Sequence, residues 1–145
     1  MSNEISIEIS LFVEHGREQE AADFYVAAFG AEVIEPYRLD GVLMGFAMRF
    51  GATPVAVAGS NPRREQNPSY GGPFFPKVAG SVSAIFTLNV GDIEHAVQRA
   101  SRSGAVIRDA VQRDVLDRRV ASLFDPFGHI WALVERKAES LDLAA

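Results

Sequence analysis

The chain contains no cysteine. Disulfides, thiol nucleophiles and thiolate zinc sites are excluded together, while the compartment is left open. It also lacks any apolar run near the roughly 20 residues that span a bilayer. Its start, Met-Ser-Asn-Glu-Ile, is without the basic residues that open a secretory signal. A cytoplasmic protein with no membrane partner is therefore expected. Positive charge is short as well: 14 Lys and Arg against 19 Asp and Glu leave a net charge of −5, which argues against a broad nucleic-acid surface. No Gly-x-Ser-x-Gly elbow is present, and Gly71-Gly72 lacks the lysine and helix context of a phosphate-cradling loop. A small organic molecule, or another protein, is the partner class left standing.

Against these absences stands the composition of one globular domain. The 145 residues are 48% hydrophobic and 23% charged, enough for a core that removes roughly 68–70% of the unfolded surface from water. The chain also repeats itself. Phe50-Gly51 followed by Thr53-Pro-Val-Ala-Val57 is echoed 77 residues later by Phe127-Gly128 followed by Ile130-Trp-Ala-Leu-Val134, and Phe29-Gly30-Ala31 by Ser103-Gly104-Ala105. Two half-sized units with the same order of parts are expected.

Periodicity fills in those parts. Ile5 to Val13 alternates strictly, with Ile5, Ile7, Ile9, Leu11 and Val13 on one face and Ser6, Glu8, Ser10 and Phe12 on the other, which predicts a half-buried strand. Arg17 to Phe29 reads as a helix stopped by Gly30. Strands are predicted over Ala31–Ile34, Leu43–Phe50 and Val55–Ala58, with Asp40-Gly41 as a hairpin turn. The second unit repeats β-α-β-β-β with a strand over Ser81–Val90, a helix capped by Asp92, and strands at Ala105–Arg108, Arg119–Phe124 and Ile130–Val134. Asp125-Pro126-Phe127-Gly128 fits a type I turn.

One domain of two modules follows: 5–59, then a Pro/Gly-rich connector over 60–80, then 81–136, with a tail at 137–145. The connector holds four of the seven prolines, and two readings stand for it, an ordered spacer or a lid anchored by Tyr70, Phe74 and Phe75.

The helix segment Ala22-Asp-Phe-Tyr-Val-Ala-Ala-Phe-Gly-Ala31, taken with Asp125-Pro-Phe-Gly-His-Ile-Trp131, resembles the vicinal oxygen chelate superfamily, and within it the PhnB-like glyoxalase/bleomycin-resistance proteins. The resemblance covers roughly Ile5 to Glu135. It implies an α+β fold of two β-α-β-β-β modules whose sheets curl into a ligand-binding cup, often with one divalent metal, and commonly a homodimer. In metal-dependent members the ligands lie on the first and last strands of each module. Carried onto this chain, those positions are Glu8, Ala56, Ile85 and Ala132, of which Glu8 alone can coordinate a metal. A catalytic metal normally takes about three protein ligands, so no metal and no other cofactor is expected.

The face implied to line the cup is Glu8, Ser10, Phe12, Ala56, Ser83, Ile85, Thr87, Asn89 and Ala132. Such a mixture suits a small organic molecule held by shape and a few hydrogen bonds. Two functions are therefore carried forward: a binding protein of the drug-sequestration type, and a lyase, isomerase or dioxygenase with an unconventional or metal-free site. In the second, Glu8 is the catalytic residue, a partly shielded carboxylate acting as general base; in the first, it meets solvent or an arginine. His15, His95 and His129 form no set, each reading as a turn or surface residue. Trp131 is expected in the core. Arg63-Arg64 and Arg118-Arg119 read as solvated charge.

Overall fold

The computed structural model describes residues 4–72 and 74–136, so the tail expected at 137–145 lies outside the described residues. The chain divides into two compact units. One runs through Val26 and resumes over Gly30–Phe74, and the other takes Ala27–Phe29 and begins again at Phe75.

The first unit carries β1 (Ile9–Val13), α1 (Glu18–Phe29, its last turn aside), β2 (Glu32–Leu39), β3 (Val42–Phe50) and β4 (Thr53–Gly59). Its four strands form one open sheet in the order β1-β4-β3-β2, with β1 parallel to β4 and the other pairs antiparallel. Alternation decides its faces. Leu11, Val13, Phe46, Met48, Val55 and Val57 are buried on one side. α1 covers that side: Tyr25 meets Phe50 with ring centroids 5.4 Å apart, and any side chain at Gly59 would collide with the Glu18 carboxylate. Gly30 ends the helix in the left-handed conformation that glycine adopts without steric cost.

The second unit holds β5 (Ile85–Val90), α3 (Ile93–Arg102), β6 (Val106–Arg113), β7 (Arg119–Phe124) and β8 (Ile130–Glu135). Its sheet has the order β5-β8-β7-β6, again with a parallel pair, β5 and β8, beside antiparallel ones. Ile93, Val97 and Ala100 of α3 are buried, as are Ala121, Leu123, Trp131 and Leu133 on the sheet face that the helix covers. Asp92 caps α3, its side chain accepting from the His95 N–H. Within the same unit Phe29 packs on Trp131 at 5.0 Å.

The duplicated β-α-β-β-β order therefore stands, with several boundaries corrected. β1 starts at Ile9, not Ile5, and Ile5 and Ile7 are 92% and 85% exposed, because no strand among the described residues pairs with them. β5 begins at Ile85, leaving Ser83 outside it. β2 and β6 each run five residues further than periodicity predicted, to Leu39 and Arg113. Pro36 does not end β2, because that strand lies at the sheet edge where a missing N–H costs no ladder bond. The connector contains a short helix α2 (Pro62–Glu65) and a 3-10 turn (Pro68–Tyr70), each capped by an asparagine, Asn61 and Asn67.

The Phe-Gly echo also changes meaning. At an offset of 77 it aligns Thr53, on the helix-covered face, with Ile130, on the opposite face. The two hairpins differ in length: Gly51 and Ala52 alone join Phe50 to Thr53, whereas five residues, Asp125 to His129, join Phe124 to Ile130.

Candidate functional site

Each sheet has one face turned away from its helix, and register decides which side chains meet there. On the first sheet Ser10 pairs with Ala56, Ala56 with Ala47, and Ala47 with Glu35, forming one transverse row. The next row joins Phe12, Ala58, Gly45 and Tyr37. Phe12 is half-buried and packs on Phe74 at 6.5 Å. A Cβ at Gly45 would run into the Val57–Ala58 backbone, so glycine is required for β3 to approach β4. On the second sheet the matching row is Thr87, Ala132, Ser122 and Asp109. Ile85 and Asn89 share its face, and the Asn89 side-chain oxygen accepts from Arg136 Nε at 2.9 Å.

Seven of the nine expected lining residues thus fall on the helix-free faces: Ser10, Phe12 and Ala56 on one sheet, and Ile85, Thr87, Asn89 and Ala132 on the other. Glu8 and Ser83 precede their strands and are exposed. Glu8 is thus exposed, where a partly shielded carboxylate was expected. Of the positions carried over from the resemblance, Ala56 lies beside Ser10 and Ala132 beside Thr87. These residues supply two hydroxyls and three methyl groups, with no carboxylate or imidazole, and do not fit a divalent metal. Among the described residues, no group of three or more His, Asp or Glu side chains converges on one point.

What sequence reasoning missed is the polar end of the second row. The pairing of β6 with β7 slips between Ile107 and Asp109. A bulge brings successive side chains to one face, and here both Arg108 and Asp109 reach Ser122. The Ser122 hydroxyl donates to Asp109 Oδ2 at 2.5 Å, and Arg108 Nη1 donates to Ser122 Oγ at 3.3 Å and to Asp109 Oδ2 at 3.1 Å. Ser122 is only 5% exposed, yet lies opposite the packed helix face. Periodicity had ended β6 at Arg108, which put Asp109 beyond the strand; only the cross-strand pairing shows the arrangement.

Other polar residues have structural work. Asp125 is buried, and its carboxylate accepts from the N–H groups of Phe127 (2.8 Å) and His129 (3.0 Å) and from Trp131 Nε1 (2.9 Å). Trp131 is accordingly a core residue and His129 a turn residue, although His129 is buried rather than at the surface. Glu18, also buried, accepts from the Gly16 N–H and bonds to His15, fixing the turn before α1. Arg118 and Arg119 are not merely solvated: Arg118 pairs with Asp114, and Arg119 with Glu94 and Glu135. The Arg118 backbone N–H and guanidinium, with the Leu116 N–H, hold the Asp114 carboxyl below the usual aspartate range.

Comparison with known proteins follows the same lines. Residues 12–133 match the Glyoxalase/Bleomycin resistance protein/Dioxygenase superfamily. An uncharacterized protein of Mycobacterium bovis is 32% identical over 116 residues, which are 78% of this chain and 72% of that protein. A crystal structure of a glyoxalase/bleomycin resistance protein/dioxygenase family enzyme from Burkholderia phytofirmans is similar in fold, with a TM-score of 0.69 at 15% identity over 88% of this chain and 95% of that one. The fosfomycin resistance protein FosX of Listeria monocytogenes, solved with Mn(II) and sulfate, gives a TM-score of 0.65 at 13% identity over the full length of both chains. No helix among the described residues is long and apolar enough to cross a membrane.

Proposed function

We propose, from the premise that the chain belongs to the glyoxalase/bleomycin resistance protein/dioxygenase superfamily, that it is a PhnB-like cytoplasmic homodimer that binds a small organic molecule without a divalent metal. The observation that carries this reading is the register: Ser10 beside Ala56, and Thr87 beside Ala132. Hydroxyls and methyl groups hold an organic ligand by shape and a few hydrogen bonds, and they hold a cation poorly. FosX, by contrast, was solved with Mn(II). Fold alone does not choose among the activities of such a family, so the donor set carries the assignment. The binding residues proposed are Ser10, Phe12, Ala56, Ile85, Thr87, Asn89 and Ala132.

Thermal unfolding of the purified protein against a library of drug-like compounds tests this reading, with and without EDTA. A true ligand at about 100 times its Kd should add about 2.7 kcal/mol to stability, and EDTA should leave that gain unchanged. A stoichiometric divalent ion in natively purified protein, found by elemental analysis, or ligand stabilisation abolished by EDTA and restored by Mn(II), would overturn the metal-free assignment. Sedimentation showing a monomer at micromolar concentration would overturn the dimer.

A further inference from the structure

We infer that Arg108, Asp109 and Ser122 form a recognition point for a neutral carboxamide-type group on the helix-free face of the second sheet, a deepening that rests on the small-molecule reading above. The bulge in β6 directs Arg108 and Asp109 to the same side of the sheet, and Ser122 ties them together from β7. Ser122 spends its proton on Asp109 and a lone pair on Arg108, so it orients both and is itself shielded from solvent. It is a positioning residue, and the groups left to meet a ligand belong to the ion pair.

Their remaining hydrogen-bonding capacity sets the ligand class. Both bonds to the Asp109 carboxylate fall on Oδ2, and both from Arg108 leave Nη1. Among the described residues, Asp109 Oδ1 and Arg108 Nε and Nη2 therefore have no protein partner. The two side chains remain 48% and 41% exposed, enough to be reached. An acceptor beside donors matches a ligand edge with an N–H beside a C=O, the N–H donated to Asp109 and the C=O accepting from Arg108. A ligand anion would meet the Asp109 carboxylate, and a ligand cation the Arg108 guanidinium, so the neutral edge is preferred over both. Thr87 and Ala132, small side chains, continue the same row beside this point.

The first sheet supplies an internal control. Its β2–β3 pairing slips at the matching place, between Val33 and Glu35, but Ile34 stands where Arg108 does and Ala47 where Ser122 does. Glu35 is exposed there, and among the described residues no hydroxyl is bonded to it.

The test is a proton–nitrogen NMR titration of the whole chain with benzamide, benzoate and benzamidine, three probes of one shape and different charge. Benzamide should give saturable shifts centred on the amides of Asp109, Ser122 and Thr87, with a Kd about tenfold below those of the other two. Asp109→Ala and Ser122→Ala should each weaken benzamide by about tenfold, while Glu35→Gln should leave it unchanged. Circular dichroism checks each variant, and Asp109→Asn replaces any that fails to fold. Equal or tighter binding of benzoate or benzamidine, shifts centred elsewhere, or variants that bind as well as the parent would overturn the inference and leave the small-molecule reading standing. Silence from all three probes overturns it too; if the compound library also gives no stabilisation, the broader reading falls with it.

Discussion

The helix-free faces of the two sheets are built on the same frame and end in different chemistry. Both edge strands, β2 and β6, slip register two or three residues into the strand. On the first sheet the slip faces Ala47, and Glu35 is left at the surface; on the second it faces Ser122, and a serine hydroxyl gathers an arginine and an aspartate. An arginine and a hydroxyl, where the first sheet has Ile34 and Ala47, separate a bare edge from an organised polar group. A duplicated scaffold can therefore keep its buried faces filled by apolar side chains while one copy alone carries the bonded arginine, aspartate and serine.

The hairpins make the same contrast in stability, and there the largest effect is expected. Two residues close β3 onto β4, but the β7–β8 loop is held by Asp125, which satisfies three N–H donors. Asp125→Ala should destabilise the protein by about 3–5 kcal/mol, because those donors lose their acceptor in a buried place. Urea unfolding measures it. A loss under 1 kcal/mol would show that water replaces the carboxylate and that the loops are alike after all.

Exchanging the row residues sharpens the comparison between the sheets. Ser122→Ala should cost about 1 kcal/mol, since one partner, Asp109, is half in solvent. Ala47→Ser should change stability by no more than about 0.5 kcal/mol. If the two substitutions proved equal by chemical denaturation, the hydroxyl on the second sheet would have no special part.

The smallest effect is confined to the tip of the β6–β7 hairpin. Arg118 holds the Asp114 carboxyl below the ordinary aspartate value of 3.8 in the folded chain. A group depressed on folding contributes stability that is full above its unfolded pKa and is lost as the pH falls through its folded one. Asp114→Asn should therefore be less stable than the parent near neutral pH, with the difference closing only well into acid. The amide signals of Leu116 and Arg118, followed by NMR from pH 7 down to about 2, check this. A difference that persists unchanged in acid would detach it from the carboxylate.

Much of this was legible in the residues themselves. Alternation assigned Leu11 and Val13 to one side of β1 and Ser10 and Phe12 to the other, and Gly30 and Asp92 marked helix ends, because such signals depend only on near neighbours. Asp40-Gly41 gave its hairpin for the same reason: both residues adopt the positive φ that the turn demands. Ile5 and Ile7 continue the alternation of β1 yet pair with no strand among the described residues, since a strand exists only where another supplies its hydrogen bonds.

Local sequence, then, determined the order of elements, the two-module fold and the buried sides of its strands. Tertiary structure decided which residues meet across strands. It put Ser10 beside Ala56, removed Glu8 from the sheet, and turned Arg108 and Asp109 together toward Ser122. The physical reason is that side-chain parity is a property of one strand, whereas register and bulges belong to the pairing of two.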